Sequence, residues 1–483
     1  MFNGNFFTDL HCHPTLKSFN SGHPHPTKTL WDHIEHPCAD NALTRLFRRK
    51  SNSILKESQS NLYQLARGGV RVAQVSMYPP EKGFVTFRRV PEMIFGEDTV
   101  HDVLEHISGI HKERVKVIHY QENHYFHDLT HEYEYISRGE GASPCGQYRC
   151  RIVDSFAALE HNLKNEPHTV NIILSIEGAH SLGCGNSLTE NMPYEQLKEE
   201  LTRNIRQMKS WAHVPFSINL AHHFWNQLCG HAPSIPQPFN TLVNQTKGMN
   251  AGLTDLGRHV ILELLGRHNG RRIIIDTKHM SVATRKEYYD FVHKYNYLNP
   301  SDKIPVLCSH TGVNGYETMN ESVMEKDRNR KSRHSYLHRR SINVSDEEIR
   351  IIHDSGGIIG IMMDKGNLGG IRKLQEIGAL ENEQKKTDAF SELIWENIFQ
   401  IIRAVRQPTA WDIIGIGTDF DGMISHVDVY RNAESFRDMQ RNLTEYLDKT
   451  RLHKELWYHY HPHELVNKIL RDNVVEFFRR NWR

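Results

Sequence analysis

Eight short apolar runs punctuate the chain, and each ends in polar residues. They are "NFFTDLHCH" (5–13), "VRVAQVSMY" (70–78), "VNIILSIEGAH" (170–180), "PFSINLAHH" (215–223), "RRIIIDTKHM" (271–280), "IPVLCSH" (304–310), "GGIIGIMMD" (356–364) and "DIIGIGTDFDG" (412–422). They are nearly continuous in Ile, Val and Leu, the pattern of strands buried on both faces. Amphipathic stretches lie between several of them. "EQLKEELTRNIRQMKSWA" precedes the fourth run, "TDLGRHVILELLGRHN" the fifth, "VSDEEIRIIHDSG" the seventh and "SELIWENIFQIIRAV" the eighth. Thr254 is placed to cap the second of these helices. Ser345 with Glu348 three residues on forms a capping-box pattern at the third. Strand and helix alternating to eight predicts an α/β fold, a closed (β/α)8 TIM-like barrel, rather than an open sheet.

Three stretches are too long for simple loops and are expected as insertions in a single 1–483 barrel: 14–60, 79–169 and 311–345. The third contains the basic run "EKDRNRKSRHSYLHRR" (325–340), read as a solvated loop rather than a phosphate patch.

Composition narrows the class. The chain has 483 residues and a formal net charge of +1, so no electrostatic case exists for a nucleic-acid partner. No apolar run is long enough to span a bilayer, and no leader pattern opens the chain. The expected location is the cytoplasm, or a mature form with its leader removed. Seven cysteines lack the spacing of a disulfide framework; Cys145 and Cys150 are near neighbours, but free thiols are the expectation.

In such barrels the chemistry sits at the C-terminal ends of the strands. The polar residues there are His11 and His13, Glu177, His222 and His223, His279, His310, and Asp419 with Asp421. With 33 histidines in the chain, any one of them alone means little. Six of the eight runs end this way, and their convergence on one face is what carries weight. Residues i and i+2 of a strand point the same way, so His11 and His13 would both face the barrel mouth. Five ligands (His11, His13, Glu177, His279, His310) are too many for one catalytic zinc. They fit two divalent ions, zinc above all, about 3.5–4 Å apart with Glu177 as the bridge. Asp419 is read as a general acid–base, and Asp421-Gly422 as a turn.

These motifs resemble the renal, or membrane, dipeptidase family of the amidohydrolase superfamily, from the first strand to the last helix. "TDLHCHP" resembles its Asp-x-His-x-Asp opening, and "LSIEGAHSLG" its Glu-Gly-(Gly/Ala)-His strand. "IIIDTKHMS" is similar to its Ile-Asp-x-Ser-His-x-Ser strand, "PVLCSHTG" to Pro-Val-x-x-Ser-His-Ser, and "IGIGTDFDG" to Gly-x-Gly-x-Asp-(Phe/Tyr)-Asp-Gly. The resemblance implies hydrolysis of dipeptides, including those with D-configured C-terminal residues, at a two-metal site. It gives His11, His13, Glu177, His279 and His310 the metal-ligand positions. It gives His222 the position that binds and polarises the substrate carbonyl, and Asp419 the proton transfer. It also implies a homodimer.

Three departures stand out. His13 replaces the family's aspartate, which leaves the site less anionic. Ile342 stands where the family has an arginine for the substrate's carboxylate, so either Arg339 or Arg340, with Arg340 preferred, reaches in, or the substrate lacks that carboxylate. The chain is also longer than a minimal member. The competing expectations are a hydrolase of the same superfamily acting on another amide or on a phosphoester, and a barrel that binds metal without catalysis.

Overall fold

The computed structural model describes residues 5–21, 26–35, 57–86, 96–120, 124–235, 243–324 and 335–482. Most of the basic run at 325–340, and part of the insertion at 14–60, fall outside them. All eight apolar runs form strands: β1 (Phe7–Cys12), β2 (Val70–Met77), β3 (Thr169–Ile176), β4 (Ser217–Asn219), β5 (Ile274–Asp276), β6 (Leu307–Thr311), β7 (Ile358–Ile361) and β8 (Ile414–Ile416). They lie side by side in chain order, and every neighbouring pair is parallel. The result is a nearly closed TIM-like barrel.

The seam between β8 and β1 closes just beyond the end of β8. Asp419 N–H donates to the His11 carbonyl at 2.8 Å, and His13 N–H to the Phe420 carbonyl at 2.9 Å. The buried Asp9 carboxylate stitches the same seam. It accepts from Thr418 N–H at 2.9 Å, Thr418 Oγ1 at 2.6 Å and His11 N–H at 3.2 Å.

The helices form where the amphipathic stretches predict them. Tyr194–Lys209 leads to β4 and Asp255–Leu265 to β5. Asp346–Asp354 leads to β7 and Glu383–Val405 to β8. Thr254 caps its helix by accepting from Gly257 N–H at 3.0 Å. At Ser345, both the backbone N–H and the hydroxyl donate to Glu348, each at 2.9 Å. The sequence pattern does not reveal a two-strand hairpin, Gly141–Ala142 with Arg149–Ile152, whose second strand extends the sheet beside β3. Among the described residues the cysteines are free, Cys145 and Cys150 included.

Apolar packing seals the barrel. Leu10, Val72, Ile173, Ile274, Leu307 and Ile358, one from each of six strands, cluster with Phe477 and Phe478 of the C-terminal helix Asn473–Asn481. The polar strand ends are thereby left to the opposite mouth. Residues from the 79–169 stretch form a separate apolar cluster. In it, Val85, Val100, Leu104, Ile110 and Val115 pack with Ile235 and Val243.

Asp9 links fold to site, because Asp419 follows directly on its partner Thr418. Replacing Asp9 by Ala strands buried donors, at about 1–3 kcal/mol each. Chemical denaturation of Asp9→Ala is expected to show a loss of that order, with Asp9→Asn much milder because it keeps an acceptor.

Candidate metal centre

Glu177 follows β3 directly and is buried, and four histidine Nε2 atoms from three different strands face its carboxylate. His13 Nε2 lies 2.9 Å from Oε2; His279, His11 and His310 Nε2 lie 3.1, 3.4 and 3.5 Å from Oε1. Gly178 makes room for this arrangement. It has φ +92, and a Cβ there would come within 2.4 Å of the His180 ring.

His11 and His13 do converge, their Nε2 atoms 3.0 Å apart. The strand is not regular there, since its register with β2 shifts between Asp9 and Cys12. Such irregularities re-aim side chains beside active sites. His13 Nδ1 lies 2.9 Å from the Ser76 carbonyl. A carbonyl can only accept, so Nδ1 carries a proton and Nε2 is the nitrogen turned toward Glu177. Ser309 Oγ supports the outer nitrogens of His11 at 3.2 Å and His310 at 2.9 Å.

These residues form two overlapping groups of candidate ligand atoms: His11, His13 and Glu177, and Glu177, His279 and His310. Glu177 is common to both. The donor set fits divalent metal on chemical grounds. Imidazole nitrogens face each other at 3.0 Å (His11, His13) and 3.3 Å (His310, His279), which two lone pairs tolerate only with a cation or proton between them. The electrostatics agree. Burial pushes His13 down, yet the charges of Glu177 and Asp419 lift it to about 10. Burial raises Glu177, but the surrounding histidines, His222 first, hold it well below the usual carboxylate range. Burial instead pushes His279 down to about 3 and His310 well below its ordinary value, so both rings stay neutral.

Asp419 Oδ1 lies 3.5 Å from His13 Nε2 and 3.9 Å from His11 Nε2. Its φ is +60, and that of His279 is +67. Left-handed backbone is costly for non-glycine residues and clusters at functional sites. Gly422 is required beside it, because a Cβ there would fall 2.0 Å from Asp419 Oδ1. Asp421 serves the turn and its surroundings. It accepts from Lys17 Nζ at 2.6 Å, Ser60 N–H at 2.8 Å and Ser60 Oγ at 2.6 Å.

His222 Nε2 lies 3.6 Å from Glu177 Oε2. Its other nitrogen, Nδ1, donates to Glu81 at 2.5 Å. Glu81, absent from the sequence-based set, also accepts from Phe224 N–H at 3.0 Å. It sits in "YPPEKG" at the head of an insertion, where nothing in the sequence distinguishes it from a loop carboxylate. His223 instead contacts Ser234 Oγ at 2.5 Å. A cavity joins these groups. Ile342 lines it; Arg339 and Arg340 do not. Arg339 stacks on Tyr316, its guanidinium 3.8 Å from the ring centre.

Residues 329–480 match the family model described as membrane dipeptidase (peptidase family M19). That segment holds Asp419, while His11, His13, Glu177, His279 and His310 lie before it. A metallo peptidase from Rhodobacter sphaeroides, solved with a phosphinate mimic of L-Ala-D-Ala, is 13% identical over 99% of both chains, with a TM-score of 0.50. A dipeptidase of family M19 is 15% identical over 92% of this chain and 97% of its own, with a TM-score of 0.48. A probable dipeptidase from Pseudomonas aeruginosa is 17% identical over 87% and 88%, with a TM-score of 0.46. The first of these likenesses speaks to the fold alone. No curated protein matches the chain.

The Glu81–His222 pair has a pH signature. Burial pushes Glu81 up, but His222, and His180 behind it, hold it at about 2, below its ordinary 4.5. A folded value below the unfolded one stabilises the protein above pH 4.5, and this contribution fades as pH falls through about 2. Its size is on the order of 3 kcal/mol. Glu81→Gln is expected to flatten that part of the acid-denaturation curve. It should also lower turnover about 10–100-fold with metal content unchanged, as loss of an orienting partner does.

Proposed function

We propose that this chain, whose residues 329–480 match the membrane dipeptidase family model, hydrolyses dipeptides, including those with D-configured C-terminal residues, using two divalent ions. The observation that carries this reading is the single buried carboxylate of Glu177 shared by two ligand groups. Zinc suits a set of imidazoles and a carboxylate. His11, His13 and Glu177 would hold one ion, and Glu177, His279 and His310 the other. Bound there, the ions supply Lewis acidity toward the substrate carbonyl and make water a nucleophile at neutral pH.

The chain's own residues do the rest. His222 is held by Glu81 through Nδ1, so its Nε2 is free to donate toward the carbonyl oxygen as negative charge develops there. Burial pulls His222 down, but the charges of Glu81 and Glu177 raise it above its ordinary value, which favours the donating form. Asp419 is placed to take a proton from the attacking water and return it to the departing amine. A C–O bond forms, the C–N bond breaks, and the proton ends on the amine. The apolar wall of Phe84, Val85, Leu104, Ile110, Val115, Ile235 and Val243 would receive an apolar part of the substrate and exclude water.

Asp419→Asn is expected to reduce dipeptide hydrolysis by at least about 100-fold, the scale of general acid–base catalysis, while metal analysis still finds the ions bound. Full activity in that variant would remove Asp419 from the mechanism. His13→Asp restores a negative charge and is expected to tighten the first metal, read by competitive titration with a chelating dye. Unchanged affinity and selectivity would show that the His13 substitution is electrostatically silent.

A further inference from the structure

Lys278 lines the same cavity and has no role in the mechanism above. It lies two residues beyond the end of β5 and next to His279, and it is only 2% exposed. Its backbone is pinned by Lys278 N–H donating to Asp276 Oδ1 at 3.0 Å. Its ammonium meets only the Met362 sulfur, at 4.0 Å, and among the described residues it forms no ion pair. A thioether is a weak acceptor and leaves the three ammonium donors essentially unanswered. A buried charge without a partner is costly, and the usual remedy is a counter-ion. Burial lowers the Lys278 pKa, partly offset by Cys308, Asp419, Asp364 and Glu177. Those three carboxylates act from a distance; none is close enough to pair with it.

The surrounding wall shows what could pair. Ile342, Met362, Asp364 and Asn367 line the cavity together with Lys278. Asp364 is already engaged, accepting from Gly366 N–H at 2.8 Å and Asn367 Nδ2 at 2.7 Å. Lys278 is thus a buried cation of the wall, one residue from the ligand His279, with neither Arg339 nor Arg340 beside it. We infer that Lys278 anchors the free carboxylate of the substrate, holding the C-terminal residue while the amide lies over Glu177. This assignment rests on the proposed dipeptidase function and names the group that such a substrate must carry.

The test compares L-Ala-D-Ala with its C-terminal amide on the metal-loaded wild type, Lys278→Met and Lys278→Arg. In parallel, calorimetry measures binding of a phosphinate mimic of L-Ala-D-Ala and of that mimic's amide. Wild type is expected to prefer the free carboxylate by roughly 30-fold or more in kcat/KM, mostly through KM, as a buried charge pair does. Lys278→Met should erase that preference in both hydrolysis and binding, and Lys278→Arg should restore part of it. If Lys278 merely offsets the field of the nearby carboxylates, Lys278→Met would slow both substrates alike and keep the preference, and the inference falls while the dipeptidase function stands. If wild type hydrolyses neither substrate, the dipeptidase function fails, and the binding arm decides the anchor. Loss of carboxylate preference in Lys278→Met supports it, and equal binding of acid and amide by the wild type overturns it.

Discussion

One buried carboxylate organises this protein. Glu177 is removed from water, and four imidazoles from β1, β5 and β6, together with His222 beyond β4, are turned on it. An isolated buried anion is prohibitively expensive, so the site must be neutralised. Histidines that aim lone pairs at the same point cannot do this alone, whereas cations between them satisfy carboxylate and nitrogens together. The Ser76 carbonyl and the Ser309 hydroxyl answer the outer nitrogens of His13, His11 and His310. The fit to a metal is therefore visible in the hydrogen bonding around the site as well as in its candidate ligands.

The barrel exists to hold that geometry. Packing of Phe477 and Phe478 against one residue from each of six strands closes the far end. The seam between β8 and β1 closes through residues of the candidate site, since Asp419 N–H bonds to the carbonyl of His11. Asp419 and His279 both sit in left-handed backbone, a local strain that surrounding structure has to hold in place. Asp9, Thr418 and the glycine at 422 do so for Asp419. The seam that closes the barrel therefore also holds part of the candidate site.

The fold was legible because strands buried on both faces are apolar throughout and end abruptly in polar residues, so β1 to β8 stand out against the helices. The meeting of His11, His13, Glu177, His279 and His310 followed from where barrel strands end. Other features depend on contacts between segments far apart in the chain. Glu81 is separated from His222 by 141 positions and reads as an ordinary loop carboxylate. Lys278 looks like a spacer before His279 until its ammonium is seen buried with no ion pair among the described residues. The register shift between Asp9 and Cys12 is invisible to a period-two pattern. Arg340, expected at the cavity because of Ile342, is not among its lining residues. The residues matching the family model contain β7, β8 and Asp419 but none of His11, His13, Glu177, His279 and His310, so the metal half of the account stands on geometry.

Stepwise addition of zinc to metal-depleted protein, with bound metal and L-Ala-D-Ala hydrolysis measured at each step, tests the central claim most directly. The account predicts that binding saturates at two equivalents per chain and that hydrolysis appears as the pair of sites fills. Saturation below one equivalent, or hydrolysis that persists at full rate in the metal-depleted protein, would contradict it.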